Sequence, residues 1–82
     1  MSIAIKYKND SYLGGAAITP SNTVDLAVPI SAIYVGGTGA IKIDTPTGET
    51  LTFAAVAVGI FPVAATRVYA TGTAATNLIG LR

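Results

Sequence analysis

Between Ala40 and Phe53 the side chains alternate: Ile41 and Ile43 interleave with Lys42 and Asp44, then Leu51 and Phe53 with Thr50 and Thr52. A period of two puts the apolar set on one face of an extended chain and the polar set on the other. Ala40–Asp44 and Glu49–Phe53 therefore predict two strands, each with a dry and a wet face. Thr45-Pro46-Thr47-Gly48 between them supplies a proline that presets φ and a glycine that tolerates positive φ, so the pair reads as a hairpin. Upstream, Ile30–Val35 reads as a mostly buried strand ended by Gly36-Gly37-Thr38-Gly39, a turn that would hand the chain into the hairpin and make a three-stranded meander. Ala16–Ile18 and Val24–Leu26 flank the turn residues Thr19-Pro20-Ser21-Asn22 and predict two short strands. Val63–Ala70 and Asn77–Leu81 predict two more around Thr71-Gly72-Thr73-Ala74. Six to seven short strands with frequent turns predict an all-β fold, a small single-domain antiparallel β-sandwich or barrel over residues 16–82, behind an N-terminal arm, residues 1–15.

Composition changes this picture in one respect. Of 82 residues 51% are hydrophobic and 11% charged, against about 25% charged in an average soluble domain. The chain carries more apolar surface than one small core needs, which favours an assembly subunit: a homo-oligomer is expected. Without cysteine or histidine, disulfide staples, thiolate chemistry and a side chain that titrates unperturbed near neutral pH are all excluded. The net charge of +1 comes from scattered residues, so no basic stripe exists to follow nucleic acid. The first ten residues meet charge too early for a signal peptide. The uncharged run Thr50–Thr66 is seventeen residues long and broken by Gly59 and Pro62, short of the roughly 20 apolar residues of a membrane helix. Neither a nucleic-acid nor a membrane partner is expected.

That run contains the clearest candidate site. Ala54–Phe61 is apolar at both parities, so each face of the segment is dry and a single core covers only one of them. Val56, Val58, Ile60, Phe61 and Pro62 are accordingly expected in a contact between copies, Pro62 marking a strand start, bulge or edge; the competing arrangement is a loop folded back over its own core. Candidate chemistry is thin. Asp44 and Glu49 flank the hairpin turn, but an exposed pair lacks the burial that splits two carboxyl pKa values into acid and base. Gly36–Gly39 lacks the lysine of a phosphate loop. Tyr7, Tyr12, Tyr34 and Tyr69 invite a sugar-stacking reading, against which Tyr34 and Tyr69 are expected at strand ends with their hydroxyls on solvent or backbone. Asp25, Lys42, Arg67 and Arg82 are expected to be solvated or paired at a rim. No catalytic, cofactor-binding or metal-ligating residue is assigned, and no enzyme is expected. Tyr34–Ala40 and Tyr69–Ala75 match in Tyr, Gly, Thr and Ala at an offset of 35, which is either a duplicated unit or a product of biased composition.

One longer run has a recognisable order: Ile33-Tyr34-Val35-Gly36-Gly37-Thr38-Gly39, Thr50-Leu51-Thr52-Phe53, Pro62-Val63, Arg67-Val68, Ala70–Thr76 and Leu78-Ile79-Gly80-Leu81, led in by Thr19–Leu26. Together these resemble the head-spike base proteins of tailed phages and gene transfer agents, over residues 16–82. The resemblance implies a virion structural protein: a small β-domain attached to the capsid as an oligomeric decoration subunit or base for a spike or fibre, with no catalytic residues to carry over. Its implied partners are the major capsid protein or another virion protein, with a homo-oligomer whose symmetry follows the capsid site, a pentamer at a five-fold vertex being favoured over a trimer; its implied location is the virion, assembled in the host cytoplasm. The chain departs from the family in ending at Arg82 without a spike module and in the apolar run Val58–Pro62. The alternatives are a tail or baseplate subunit and, further off, a carbohydrate-binding module.

Overall fold

The structure is a computed structural model that describes Tyr12 and residues 14–82; most of the predicted arm 1–15 lies outside the described residues. Seven strands follow one another: β1 (Gly15–Ala17), β2 (Ala32–Gly37), β3 (Gly39–Asp44), β4 (Thr50–Val56), β5 (Gly59–Phe61), β6 (Arg67–Val68) and β7 (Thr76–Leu81), with no helix among the described residues. They form two sheets, one of four strands in the order β1-β7-β2-β5 and one of three in the order β4-β3-β6. Every pairing is antiparallel. Ile33, Val35 and Leu78 of the first sheet and Ile41, Ile43, Val56 and Val68 of the second fill one core, flanked by Ile30, Ala65 and Ala75. The all-β sandwich is thus as the alternation predicts.

The hairpin forms as expected, with Ile41 opposite Phe53 and Ile43 opposite Leu51. Ile41 and Ile43 are wholly buried, but Leu51 at the hairpin tip stays 42% exposed, so the dry face of the hairpin is dry only where it lies deep in the sandwich. The meander does not form. β2 pairs with β7 and β5 and never with β3, because Gly36 and Gly37 belong to β2, Gly39 belongs to β3, and the chain changes sheets at Thr38. The glycines serve close approach where a turn was expected: a Cβ on Gly39 would lie 2.5 Å from the Ala75 nitrogen, and one on Gly37 2.0 Å from the Thr76 hydroxyl. The carbonyl of Ala40 accepts from the backbone nitrogens of both Ala74 and Ala75, at 2.7 and 3.1 Å. The two segments matched at offset 35 are therefore neighbours, and each joins strands of different sheets, β2 to β3 directly and β6 to β7 through a longer loop.

Two further strands are shorter than predicted. Val63–Ala70 contracts to β6, with Ala65 in an isolated bridge to Ile30. Val24–Leu26 is no strand: its neighbourhood is held by side chains, the Ser21 hydroxyl accepting from the nitrogens of Thr23 and Val24, and Arg67 donating to the carbonyls of Asn22 and Thr23. Such local bonds offer the backbone an alternative to a ladder. A β-bulge in β4 completes the differences. Ile41 faces Phe53 while Gly39 faces Val56, so β4 runs three residues against two of β3, and the extra residue shifts the side-chain parity. Phe53 and Val56, of opposite parity, consequently both turn toward the core.

The crossing predicts a sharp sensitivity. Gly39→Ala should destabilise the domain by about 1–3 kcal/mol, the range for forcing an extra methyl into a packed site, while Gly14→Ala, with nothing within 4 Å of the added carbon, should stay within about 0.5 kcal/mol. Urea denaturation followed by circular dichroism measures both; equal midpoints would refute the backbone contact at Gly39.

Candidate assembly interface

The outer faces of the two sheets differ in kind. On the three-stranded sheet the outward row Thr50, Asp44, Arg67 lies beside the pair Thr52 and Lys42. These groups are joined to one another. The Thr50 hydroxyl donates to one Asp44 oxygen at 2.6 Å and the Tyr69 hydroxyl to the other at 2.8 Å, so Tyr69 meets a carboxylate in place of the expected solvent or backbone. The Lys42 ammonium sits 4.8 Å from the centre of the Tyr69 ring and the Arg67 guanidinium 5.6 Å, which occupies the ring with cations and leaves it no free platform for a sugar. Arg67 also donates to Asp25 at 2.7 Å, the rim pairing expected of these residues. Hydrogen bonds from Thr50 and then Tyr69, helped by the charges of Arg67 and Lys42, hold the Asp44 carboxyl below its usual range. Glu49 is lowered likewise by Thr45 and Thr47. The two carboxylates are thus engaged separately, each by its own hydroxyls, and both are kept ionised, so neither is poised as a general acid. Among the described residues no three potential metal ligands gather.

The four-stranded sheet carries the opposite surface. Its register sets Ala17 against Ile79, Ile79 against Tyr34, and Tyr34 against Ile60, one row across all four strands without a charge. Ile79 and Tyr34 are each 39% exposed and Ile60 53%, and Val58 beside β5 is 58% exposed. Cross-strand neighbours of this kind support one another within the sheet, but together they leave an apolar band in water, which soluble monomers seldom tolerate. The segment expected to form the contact is divided by the fold. Val56 is drawn into the chain's own core, and half-buried Phe61 packs edge-on against Phe53 with ring centres 4.8 Å apart; Val58, Ile60 and Pro62 remain outside. Part of the apolar run is therefore absorbed internally: the bulge flips its parity, so mixed parity alone does not require a partner. Tyr34 and Ile79 were not anticipated. Their sequence signal is the loss of alternation in Ile33-Tyr34-Val35 and Leu78-Ile79, where the middle strands of a half-wet sheet would carry polar residues.

No family model matches the chain, and no curated protein matches it. Among solved structures, a chain in one described as the capsid of a native GTA particle computed with C5 symmetry has the same fold at a TM-score of 0.77. The two are 38% identical, and the match covers 87% of this chain and 83% of that one.

Two outcomes follow from these faces. Asp44 and Glu49 have folded pKa values below their ordinary ones, 3.8 and 4.5, so their contribution to stability is complete above the ordinary values and is lost as the pH falls through the lowered ones. The thermal midpoint should decline between about pH 5 and about pH 2, and Thr50→Val, which removes the strongest influence on Asp44, should flatten that decline; an unchanged slope would refute the assignment. The combined variant Val58→Lys and Ile60→Glu should keep its β circular-dichroism signal and lose self-association in sedimentation, whereas an intact oligomer would refute a contact through these residues.

Proposed function

The chain belongs to the family of that GTA capsid chain, and on this premise we propose that it is a virion structural protein that serves as an oligomeric, capsid-attached subunit, either a decoration protein or the base of a head spike or fibre. The observation that carries the reading is the likeness to a chain of a capsid, 38% identical over most of both lengths. Its chemistry agrees. One sheet turns a stitched polar surface to water and the other a neutral apolar band, as a subunit does that is wet on one side and covered on the other. The Asp44 and Glu49 carboxylates of the hairpin are each held by hydroxyl hydrogen bonds on the wet face.

A five-fold ring is the assembly we favour: identical subunits most often close with point-group symmetry, and the matched particle was computed with C5 symmetry. Such a ring would sit where the capsid itself is five-fold, on the major capsid protein or another virion protein.

Native mass spectrometry of the full chain tests the ring: the expected species is the five-fold multiple of the 8.2 kDa subunit. A trimer would overturn the five-fold reading, and a monomer persisting at high micromolar concentration would overturn the oligomer. Adding the protein to particles that lack it and imaging them tests attachment. Density on the capsid surface is expected, and density confined to the tail or baseplate would overturn the capsid assignment.

A further inference from the structure

A ring of identical copies is held head to tail, so each copy must offer its two neighbours two different surfaces. The outer band of the four-stranded sheet supplies one of them, at its most exposed around Val58 and Ile60, on the β5 edge. A second apolar feature lies at the opposite edge of the same sheet. Beside β1 there is an open pocket of ≈ 190 Å³ lined by Ala16, Ile18, Leu26, Val28, Ile30 and Gly80, with Arg82 the one charged residue at it among the described residues. Its floor exists because β7 has a glycine there: a Cβ on Gly80 would stand 2.7 Å from a methyl of Ile30. The loop that forms its far wall is pinned at Leu26, whose nitrogen donates to the Thr66 carbonyl at 2.8 Å. Val28 remains 46% exposed beside it, and Val24, earlier on the same loop, 66%.

Resting on the ring reading above, we infer that Val58 and Ile60 of one copy seat in the β1-side pocket of the next. Three observations converge on this occupant. The knob and the pocket lie on β5 and β1, the two outer strands of one sheet, so a neighbour approaching either edge meets one of them. The pocket has the right chemistry, since the aliphatic side chains of Ile18, Leu26, Val28 and Ile30 line it and would cover apolar groups brought in by a neighbour. Charge opposes nothing: Val58, Ile60 and the six lining residues are uncharged, and the depletion of charge is what distinguishes the centre of a protein interface from its rim, where Arg82 would sit. Gly59 between the two knob residues has a φ of 128°, which lifts the β4–β5 junction into a conformation that a side chain at that position would strain.

Because the chain has no cysteine, introduced thiols report alone. Ile60→Cys and Val28→Cys, both at exposed positions, are made separately, mixed to allow exchange of subunits, treated with a short bismaleimide and read by denaturing mass spectrometry, with native mass spectra of the same samples. The expected dominant product is a covalent dimer with one copy of each variant, and the two substitutions in one chain should give a ladder that ends at the ring size. If the native spectra show the oligomer and the mixed product is absent, or Ile60→Cys joins to itself, the seating is wrong while the ring reading stands. If Val28→Cys joins instead to Ile5→Cys, the pocket belongs to the N-terminal segment and the inference is overturned. A monomer in every native spectrum overturns the ring reading, and the seating with it.

Discussion

Where the chain leaves one sheet for the other at Thr38, the backbone at Gly39 lies directly on the backbone of Ala74 and Ala75, and Gly37 lies against the Thr76 side chain. Gly37 and Gly39 make that approach possible, and the Ala40 carbonyl secures it with two bonds. Much of the sandwich depends on this one contact. It holds β2 beside β7 on one side of the crossing and fixes the start of β3 on the other, so that Val35 and Leu78 face Ile41 across a common core. A methyl added at Gly39 would have to push two backbones apart, and packed backbones have no rotamer through which to yield.

The hairpin was legible because one of its faces is wet, and a wet face writes its period into the sequence. Lys42, Asp44, Thr50 and Thr52 mark it residue by residue. The four-stranded sheet is apolar on both faces, so Ile33-Tyr34-Val35 and Leu78-Ile79 show no period from which to read a partner. Its strand order had to come from tertiary contacts. The glycine-rich crossing was misread for a related reason: glycine signals a turn and a close approach alike, and only the neighbour at Ala74–Thr76 distinguishes the two. The bulge in β4 was equally hidden, since Ala54 and Ala55 carry too little side chain to mark which of them is the extra residue. Of the candidate contact, Val58, Ile60 and Pro62 were legible as exposed, while Val56 and Phe61 went to the core once the parity changed.

The polar sheet shows how few charges suffice when each has a fixed partner. Asp44 receives Thr50 and Tyr69, Tyr69 stacks under Lys42 and Arg67, and Arg67 in turn grips Asp25 and the carbonyls of Asn22 and Thr23. A loop outside the strands is in this way fastened across the edge of β6, alongside the backbone bonds that the Ser21 and Leu26 nitrogens donate to the carbonyls of Val68 and Thr66. Exposed pairs of this sort add little stability singly; here they choose one loop path among many and leave the opposite sheet free of charge.

The order in which the strands are made bears on when the molecule acquires its outer surface. Among the described residues β1 has one partner, β7, and β2 lies between β7 and β5, so the pairing of Gly15 with Leu81 spans nearly the whole chain. Contacts of such separation form late and slowly, after the entropy of closing the loop has been overcome. A growing chain therefore holds β1 unpaired until Thr76–Leu81 has been synthesised, and the row Ala17, Ile79, Tyr34, Ile60 does not exist as a surface before then. Any association through that row is thereby left to finished domains, which separates folding from assembly in time.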